Sequence, residues 1–203
     1  MKPFERNTFW LVAVATLVSN VAFTVTATRS AKAQEVQAPA SSAPEESKYT
    51  LKVPGGLAFS EFRGYEDWAV VAVHHTADLV KVVVGNPMTM DAFRAGVPGN
   101  GKPFPDGSKM AKVEWRPKKS ADAPDITVPG TVYDVDFMVK DSKRFADGGG
   151  WGYAVFLHDT SSGTYAPATL THKPPQGNDA RCGVACHTRA KAKDFVFTEY
   201  ARR

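Results

Sequence analysis

Apolar and polar residues alternate along several short stretches of the chain, and a period of two residues is typical of β-strands. Together with β-branched and aromatic residues, this alternation predicts five strands, at residues 68–74, 79–84, 108–115, 131–140 and 151–157. Only the polar residues 75–78 separate the first two strands, which predicts an antiparallel hairpin. In the third strand, Met110, Lys112 and Glu114 are expected to share one face of the sheet.

The helical patterns are short and lie between or after these strands. We predict helices over residues 57–67, 88–95 and 141–146, and a further short helix that carries a cysteine motif near the C-terminus. The strands do not alternate with long helices as they do in doubly wound folds. The pattern therefore predicts an α+β fold with an antiparallel sheet of about five strands and short helices.

The N-terminal region has the features of an export signal. A mildly basic start is followed by an apolar run over residues 9–27 and by the small residues Ala31 and Ala33 on either side of Lys32. These features predict a cleavable signal peptide over residues 1–33 and a periplasmic protein, with an uncleaved membrane anchor as the alternative. Residues 34–48 are rich in Ala, Pro, Ser and Glu and are predicted to be a flexible linker. One domain is expected over residues 49–203.

The formal charge of the whole chain is +4, from 25 basic and 21 acidic residues. Removing the predicted signal peptide leaves 21 basic and 20 acidic residues, so the mature protein is close to neutral. A nearly neutral domain has no basic field that favours nucleic acid or an anionic membrane surface. We therefore expect no nucleic-acid partner.

The chemistry of the chain is concentrated in residues 182–187, where Cys182 and Cys186 are the only cysteines and His187 follows directly. Covalent haem attachment uses C-x-x-C-H, in which two thiols bond the haem vinyl groups and the imidazole binds iron. Here the spacing is C-x-x-x-C-H, one residue longer. On a helix, cysteines four positions apart are offset by roughly 40° and still share one face.

Two other readings of this motif stay open on the residues alone. An exported protein with two cysteines can form a disulfide between Cys182 and Cys186. The two thiols and the imidazole also resemble three ligands of a metal such as zinc, although a structural zinc site usually has four.

Several further segments, in order along residues 49–200, resemble the cytochrome P-460 family of exported c-type haem proteins. The segments are Tyr65-Glu66-Asp67-Trp68, Val82-Val83-Val84-Gly85-Asn86, Phe104-Pro105-Asp106-Gly107-Ser108 with Lys112 after it, Phe137-Met138-Val139-Lys140-Asp141, Gly150-Trp151-Gly152-Tyr153, and Cys186-His187 with Asp194-Phe195-Val196-Phe197-Thr198 after it. Six segments in the family's order favour haem c over the disulfide and the zinc site.

The resemblance implies one covalent haem c held through thioether bonds to Cys182 and Cys186, with His187 as the proximal iron ligand. It also implies a covalent bond between a lysine and the porphyrin edge, and the position of Lys112 matches that lysine. A homodimer is common in the family. The family usually shows C-x-x-C-H, and the match from Cys186 onward makes Cys182 the displaced residue. Attachment through Cys186 alone, with ligation by His187, is the alternative.

Family members oxidise hydroxylamine, so the resemblance implies a haem oxidoreductase that acts on a small nitrogen-containing molecule and passes electrons to a soluble electron-transfer cytochrome. Related cytochromes c-prime-beta lack the lysine bond and bind nitric oxide, which is the second hypothesis. The third is a haem-free exported binding module with a Cys182–Cys186 disulfide. Oxidation of hydroxylamine needs a base on the distal side of the haem. The sequence offers five candidates for this base: Glu114, Asp134, Asp136, His158 and Asp179.

Overall fold

A single antiparallel sheet forms the centre of the computed structural model, which describes residues 47–181 and 183–201. Within these ranges the sheet has six strands, in the same order in space as along the chain. They are β1 (Ala69–His75), β2 (Val80–Gly85), β3 (Lys109–Lys119), β4 (Thr127–Lys140), β5 (Trp151–Asp159) and β6 (Thr164–Pro167). The predicted signal peptide, most of the predicted linker and Cys182 lie outside the described residues.

The predicted α+β class with an antiparallel sheet is confirmed, and each of the five predicted strands is present. The sixth strand, β6, was not predicted because it has only four residues and little alternation. It pairs with the end of β5, where Phe156 lies opposite Pro167. Strands β3 and β4 are longer than predicted, because they continue beyond the rest of the sheet as a two-stranded ribbon in which Lys119 lies opposite Thr127.

Helix α1 (Pro87–Arg94) begins where the sequence predicts a helix. The side chain of Asn86 caps it by accepting a hydrogen bond from the Thr89 backbone N–H at 3.0 Å, and Pro87 occupies the first turn. Helix α2 (Val184–His187) carries the end of the cysteine motif and leads into a 3-10 helix, Thr188–Lys193. Among the described residues, no helix is long and apolar enough to cross a membrane.

Two other helix predictions were wrong in detail. The segment predicted as one helix over residues 57–67 forms two 3-10 helices, Phe59–Phe62 and Tyr65–Asp67. They are separated because Gly64 adopts a φ of 80°, which no right-handed helix contains. Residues 141–146 form a turn that leads into the 3-10 helix Ala146–Gly148, although Asp141 does accept a hydrogen bond from the Arg144 backbone N–H at 2.9 Å.

The two faces of the sheet are covered by different parts of the chain. One face, which we call the aromatic face, packs against residues 48–65 through buried rings, and Phe137 stacks on Phe62 with ring centroids 4.1 Å apart. The opposite face, which we call the cavity face, packs against α1, the loop containing Phe104 and the C-terminal segment after Ala180. Both faces are therefore covered, and the cavity face carries the chemistry described next.

Candidate functional site

A cavity of about 60 Å³ lies on the cavity face, between the sheet and the C-terminal segment. Its walls come from β2 to β5 on one side and from the residues around α2 on the other. The lining includes Val83, Met110, Lys112, Asp136, Tyr153 and His187. The cavity thus brings Lys112 together with Asp136, 24 positions later in the chain, and with His187, 75 positions later.

His187 is held between two aromatic rings and a backbone carbonyl. Its ring centroid lies 4.9 Å from that of Tyr153 and 5.3 Å from that of Phe197. Its Nδ1 lies 2.5 Å from the carbonyl oxygen of Phe195, and because a carbonyl only accepts, Nδ1 carries the hydrogen. Burial lowers the pKa of His187, although this hydrogen bond partly opposes the effect. His187 is therefore a neutral imidazole with an available Nε2, the form that binds metals.

Lys112 lies on the cavity face, in the row where Val83, Lys112 and Asp136 are opposite one another on β2, β3 and β4. Its Nζ is 2.5 Å from Asp136 Oδ2 and 2.8 Å from Glu114 Oε1. The predicted common face of Met110, Lys112 and Glu114 agrees with this register. Lys109 points to the aromatic face instead, where its Nζ donates to the Glu61 carbonyl oxygen at 2.6 Å.

Three carboxylates follow Lys112 across the same face of the sheet. Glu114 and Asp134 are opposite each other on β3 and β4, and only 3% and 2% of their surfaces are exposed. Burial raises the pKa of Asp134 to about 7, and the nearby Asp136 and Glu114 charges add to the effect. Burial also raises the pKa of Asp136, against the opposing charge of Lys112. Asp134 can therefore gain or lose a proton near neutral pH, and burial favours the protonated form of Asp136 as well.

Glu114 behaves differently from these two aspartates. Burial would raise its pKa, but hydrogen bonds and charges from Lys112 and Lys81 outweigh burial and lower the pKa. The Lys81 Nζ lies 3.1 Å from the same Glu114 oxygen that Lys112 contacts. Glu114 therefore stays ionised between two lysines. By contrast, the two aspartates are incompletely paired: the Oδ1 atoms of Asp134 and Asp136 have no hydrogen-bond partner among the described residues.

Of the five candidate bases, only Asp136 lines the cavity; Glu114 and Asp134 lie beside it on the same face of the sheet, whereas His158 and Asp179 lie elsewhere. His158 follows Leu157, which is opposite Asp134, so the strand alternation puts His158 on the aromatic face. There its ring lies 4.9 Å from Tyr165. Asp179 is exposed and accepts hydrogen bonds from the backbone N–H groups of Leu170 and Thr171, at 2.5 and 3.0 Å. Asp179 organises its own loop.

Tyr153 is a cavity residue whose role was not predicted from the sequence. Tyr153 is 3% exposed and lines the cavity, and its buried hydroxyl has no hydrogen-bond partner among the described residues. Burial raises its pKa, so the hydroxyl stays protonated and can donate to a bound group. The sequence feature that could have identified Tyr153 is the segment Gly150-Trp151-Gly152-Tyr153, in which glycines alternate with large aromatic residues.

Cys186 precedes His187 in α2 and is half-buried, with a thiol that is free among the described residues. Cys182 lies outside the described residues, so its relation to Cys186 remains a prediction from the sequence. The same restricted set of residues contains no group of three or more His, Cys, Asp or Glu side chains placed to hold a metal ion directly.

The family model described as cytochrome P-460 matches residues 62–198. The match spans all six strands and α1, and it includes every cavity residue discussed above. A search of curated proteins finds no match.

Proposed function

Because the chain belongs to the cytochrome P-460 family, we propose that it is an exported mono-haem c protein that oxidises hydroxylamine or a related small nitrogen compound. Family membership itself implies a cytochrome that binds haem. The covalent attachment, the substrate and the acceptor are our proposal. The observation that carries it is that Lys112, Asp136 and His187 line one cavity.

The donor groups of the site fit a haem. A neutral imidazole with a bonded Nδ1 and an available Nε2 is the usual form of an axial iron ligand, and the Cys186 thiol is its sequence neighbour. A cavity of about 60 Å³ is smaller than the roughly 300–1,000 Å³ of most ligand sites. Wall side chains must therefore move when a macrocycle binds. Phe197 borders the cavity and is 46% exposed, so it can turn outward at low cost.

In this proposal His187 holds the iron, while Cys186 and Cys182 form thioether bonds to the macrocycle. Once bound, the haem supplies a redox-active iron that accepts electrons from the substrate. Lys112 would bond the macrocycle edge, as the family resemblance implies; the new C–N bond would replace a C–H bond, and the two electrons released would go to an oxidant such as a peroxide. An amine is nucleophilic only when neutral, and Asp136 Oδ2, at 2.5 Å from Nζ, is placed to take its proton.

Oxidation of hydroxylamine releases protons, and the cavity contains a group that can accept them. Asp136 lines the cavity, its Oδ1 has no hydrogen-bond partner in the described part of the chain, and burial raises the pKa of its carboxyl. Asp134 lies two residues earlier on the same face, and burial raises its pKa to about 7. We propose Asp136 as the distal base, with Asp134 as the group that next receives the proton.

The cellular context belongs to the same proposal. Export to the periplasm agrees with the predicted signal peptide and with covalent haem attachment. Electrons are proposed to pass to a soluble electron-transfer cytochrome, and the protein is proposed to be a homodimer, as the resemblance implies. Light scattering on the purified holoprotein tests the dimer, because a monomeric mass contradicts it.

One preparation tests the main proposal. The full chain is expressed in a bacterium able to mature cytochromes c, and haem staining of a denaturing gel then reports covalent haem. Hydroxylamine is added without oxygen, and reduction of an added cytochrome c is followed optically. We expect stained protein and hydroxylamine-dependent reduction. Tight nitric oxide binding without reduction supports the nitric oxide hypothesis, and iron-free protein supports the disulfide-bonded binding module.

A further inference from the structure

Asp194 and Phe195, two consecutive residues after the last 3-10 helix, adopt left-handed backbone conformations. Their φ angles are 48° and 63°. Residues other than glycine rarely adopt such angles, because the Cβ atom approaches the backbone closely. Specific contacts must therefore hold this pair, and the structure shows them on both residues.

The Asp194 carboxylate joins three separate parts of the domain. Its Oδ1 lies 2.7 Å from the Nζ of Lys140, the last residue of β4, and its Oδ2 accepts a hydrogen bond from the Phe104 N–H at 2.8 Å. Lys140 also donates to the Gly149 carbonyl oxygen at 3.1 Å and lies 5.2 Å from the centre of a Trp151 ring. The side chains of Lys140 and Asp194 are only 8% and 12% exposed, so this is a buried ion pair.

The Phe195 ring packs directly against Gly149, where no side chain stands in its way. A Cβ atom at Gly149 would lie 2.2 Å from the Phe195 ring, which is far inside van der Waals contact. The ring can pack there only because residue 149 is glycine. With ring and backbone both held, the Phe195 carbonyl oxygen points at His187 Nδ1, 2.5 Å away.

We propose that the Lys140–Asp194 ion pair is a positioning device for His187, acting through the Phe195 carbonyl to set the orientation and donor strength of the iron ligand. The inference rests on the proposed haem site. A hydrogen bond from the second ring nitrogen fixes the tautomer of a histidine ligand and raises its basicity. A more basic ligand favours the ferric state, so this bond lowers the reduction potential of the iron.

The test replaces each partner in the holoprotein and measures the haem. Asp194→Asn keeps an oxygen that accepts from Phe104 and removes the charge, and asparagine tolerates left-handed backbone angles. Lys140→Met removes the cation while keeping an unbranched stem. The matched control is Lys48→Met, because Lys48 is also buried and paired with a carboxylate at 2.7 Å, Glu66, but packs on the aromatic face.

We expect Asp194→Asn and Lys140→Met to raise the ferrous-to-ferric ratio about tenfold at a fixed ambient potential, which is about 59 mV for a one-electron couple. The iron–histidine stretch in the resonance Raman spectrum of the ferrous protein should also move to lower frequency. Lys48→Met should lower stability without changing either measurement.

Haem-loaded variants with the wild-type potential and stretch overturn the inference, and so does an equal shift in Lys48→Met. A wild-type protein that carries no haem overturns the proposed function instead, so the two failures are distinguishable. If Lys140→Met fails to fold, the milder Asp194→Asn decides the question.

Discussion

Lys112 and Asp136 lie opposite each other on β3 and β4, and the lysine Nζ is 2.5 Å from Asp136 Oδ2. Both side chains line the same cavity as His187. In this pairing Lys112 is a protonated ammonium with a ready proton acceptor. The same contact can therefore serve two purposes, to hold the lysine in place and to remove its proton when it reacts.

Replacing Lys112 by methionine should abolish the bond between lysine and haem, because the nucleophile is lost while the stem is kept. We expect the optical spectrum to become that of an ordinary c-type haem and hydroxylamine-dependent reduction to fall at least tenfold. Lys81→Met is the matched control, since Lys81 contacts the same Glu114 oxygen but does not line the cavity. An unchanged spectrum in Lys112→Met contradicts the proposed bond between Lys112 and the haem.

Asp136→Asn should remove the proposed distal base and lower hydroxylamine oxidation by about 10²- to 10⁴-fold, the usual contribution of a positioned acid or base. Steady-state rates with a cytochrome c acceptor measure the effect. His158→Gln and Asp179→Asn are the controls, because these two candidates lie away from the cavity and should keep wild-type rates. A larger loss in either control than in Asp136→Asn would contradict the assignment of Asp136 as the distal base.

Asp134 should make the folded protein less stable as the pH rises. Its folded pKa of about 7 is above the usual 3.8, so its contribution to stability is complete below about pH 4 and is lost as the pH rises through 7. Each unit of pKa shift corresponds to about 1.4 kcal/mol, and coupling to Asp136 reduces the total, so we expect a loss of about 2 kcal/mol between pH 5 and 8.

The Asp134→Asn variant should remove most of this slope in urea unfolding at pH 5, 6.5 and 8. Asp159→Asn is the control, because hydrogen bonds from Ser161 and Ser162 lower the pKa of the exposed Asp159 to about 2, so it stays ionised throughout this range. A slope that persists unchanged in Asp134→Asn contradicts the assigned pKa.

Phe137→Ala should destabilise the domain by about 3–5 kcal/mol, because it empties the centre of the aromatic face. Phe137 is 2% exposed and touches the rings of Phe62, Phe59 and Tyr65. Ile126→Ala, in the turn between β3 and β4, removes a side chain that is 56% exposed and should cost less than about 0.5 kcal/mol. Equal unfolding midpoints for the two variants would contradict this view of the core.

The sequence predicted the elements whose signal is local and repeated. Alternation over eight or more residues identified β3 and β4 and put Lys112 and Glu114 on one face. Short or interrupted elements were not predicted correctly. Strand β6 has only four residues, and the left-handed Gly64 divides one predicted helix into two. Residue type and spacing were enough to predict the C-terminal end of the cysteine motif, Cys186 and His187.

The sequence by itself thus determined the fold class, the family and the residues next to the expected iron ligand, since each depends on neighbours in the chain. Only the tertiary structure separated Asp136 from His158 as a candidate base, because strand register decides which face each side chain occupies. It also revealed the Phe195 carbonyl, held on His187 by Lys140 and Asp194. A backbone carbonyl is present in every residue, so only folding gives this one a direction and a partner.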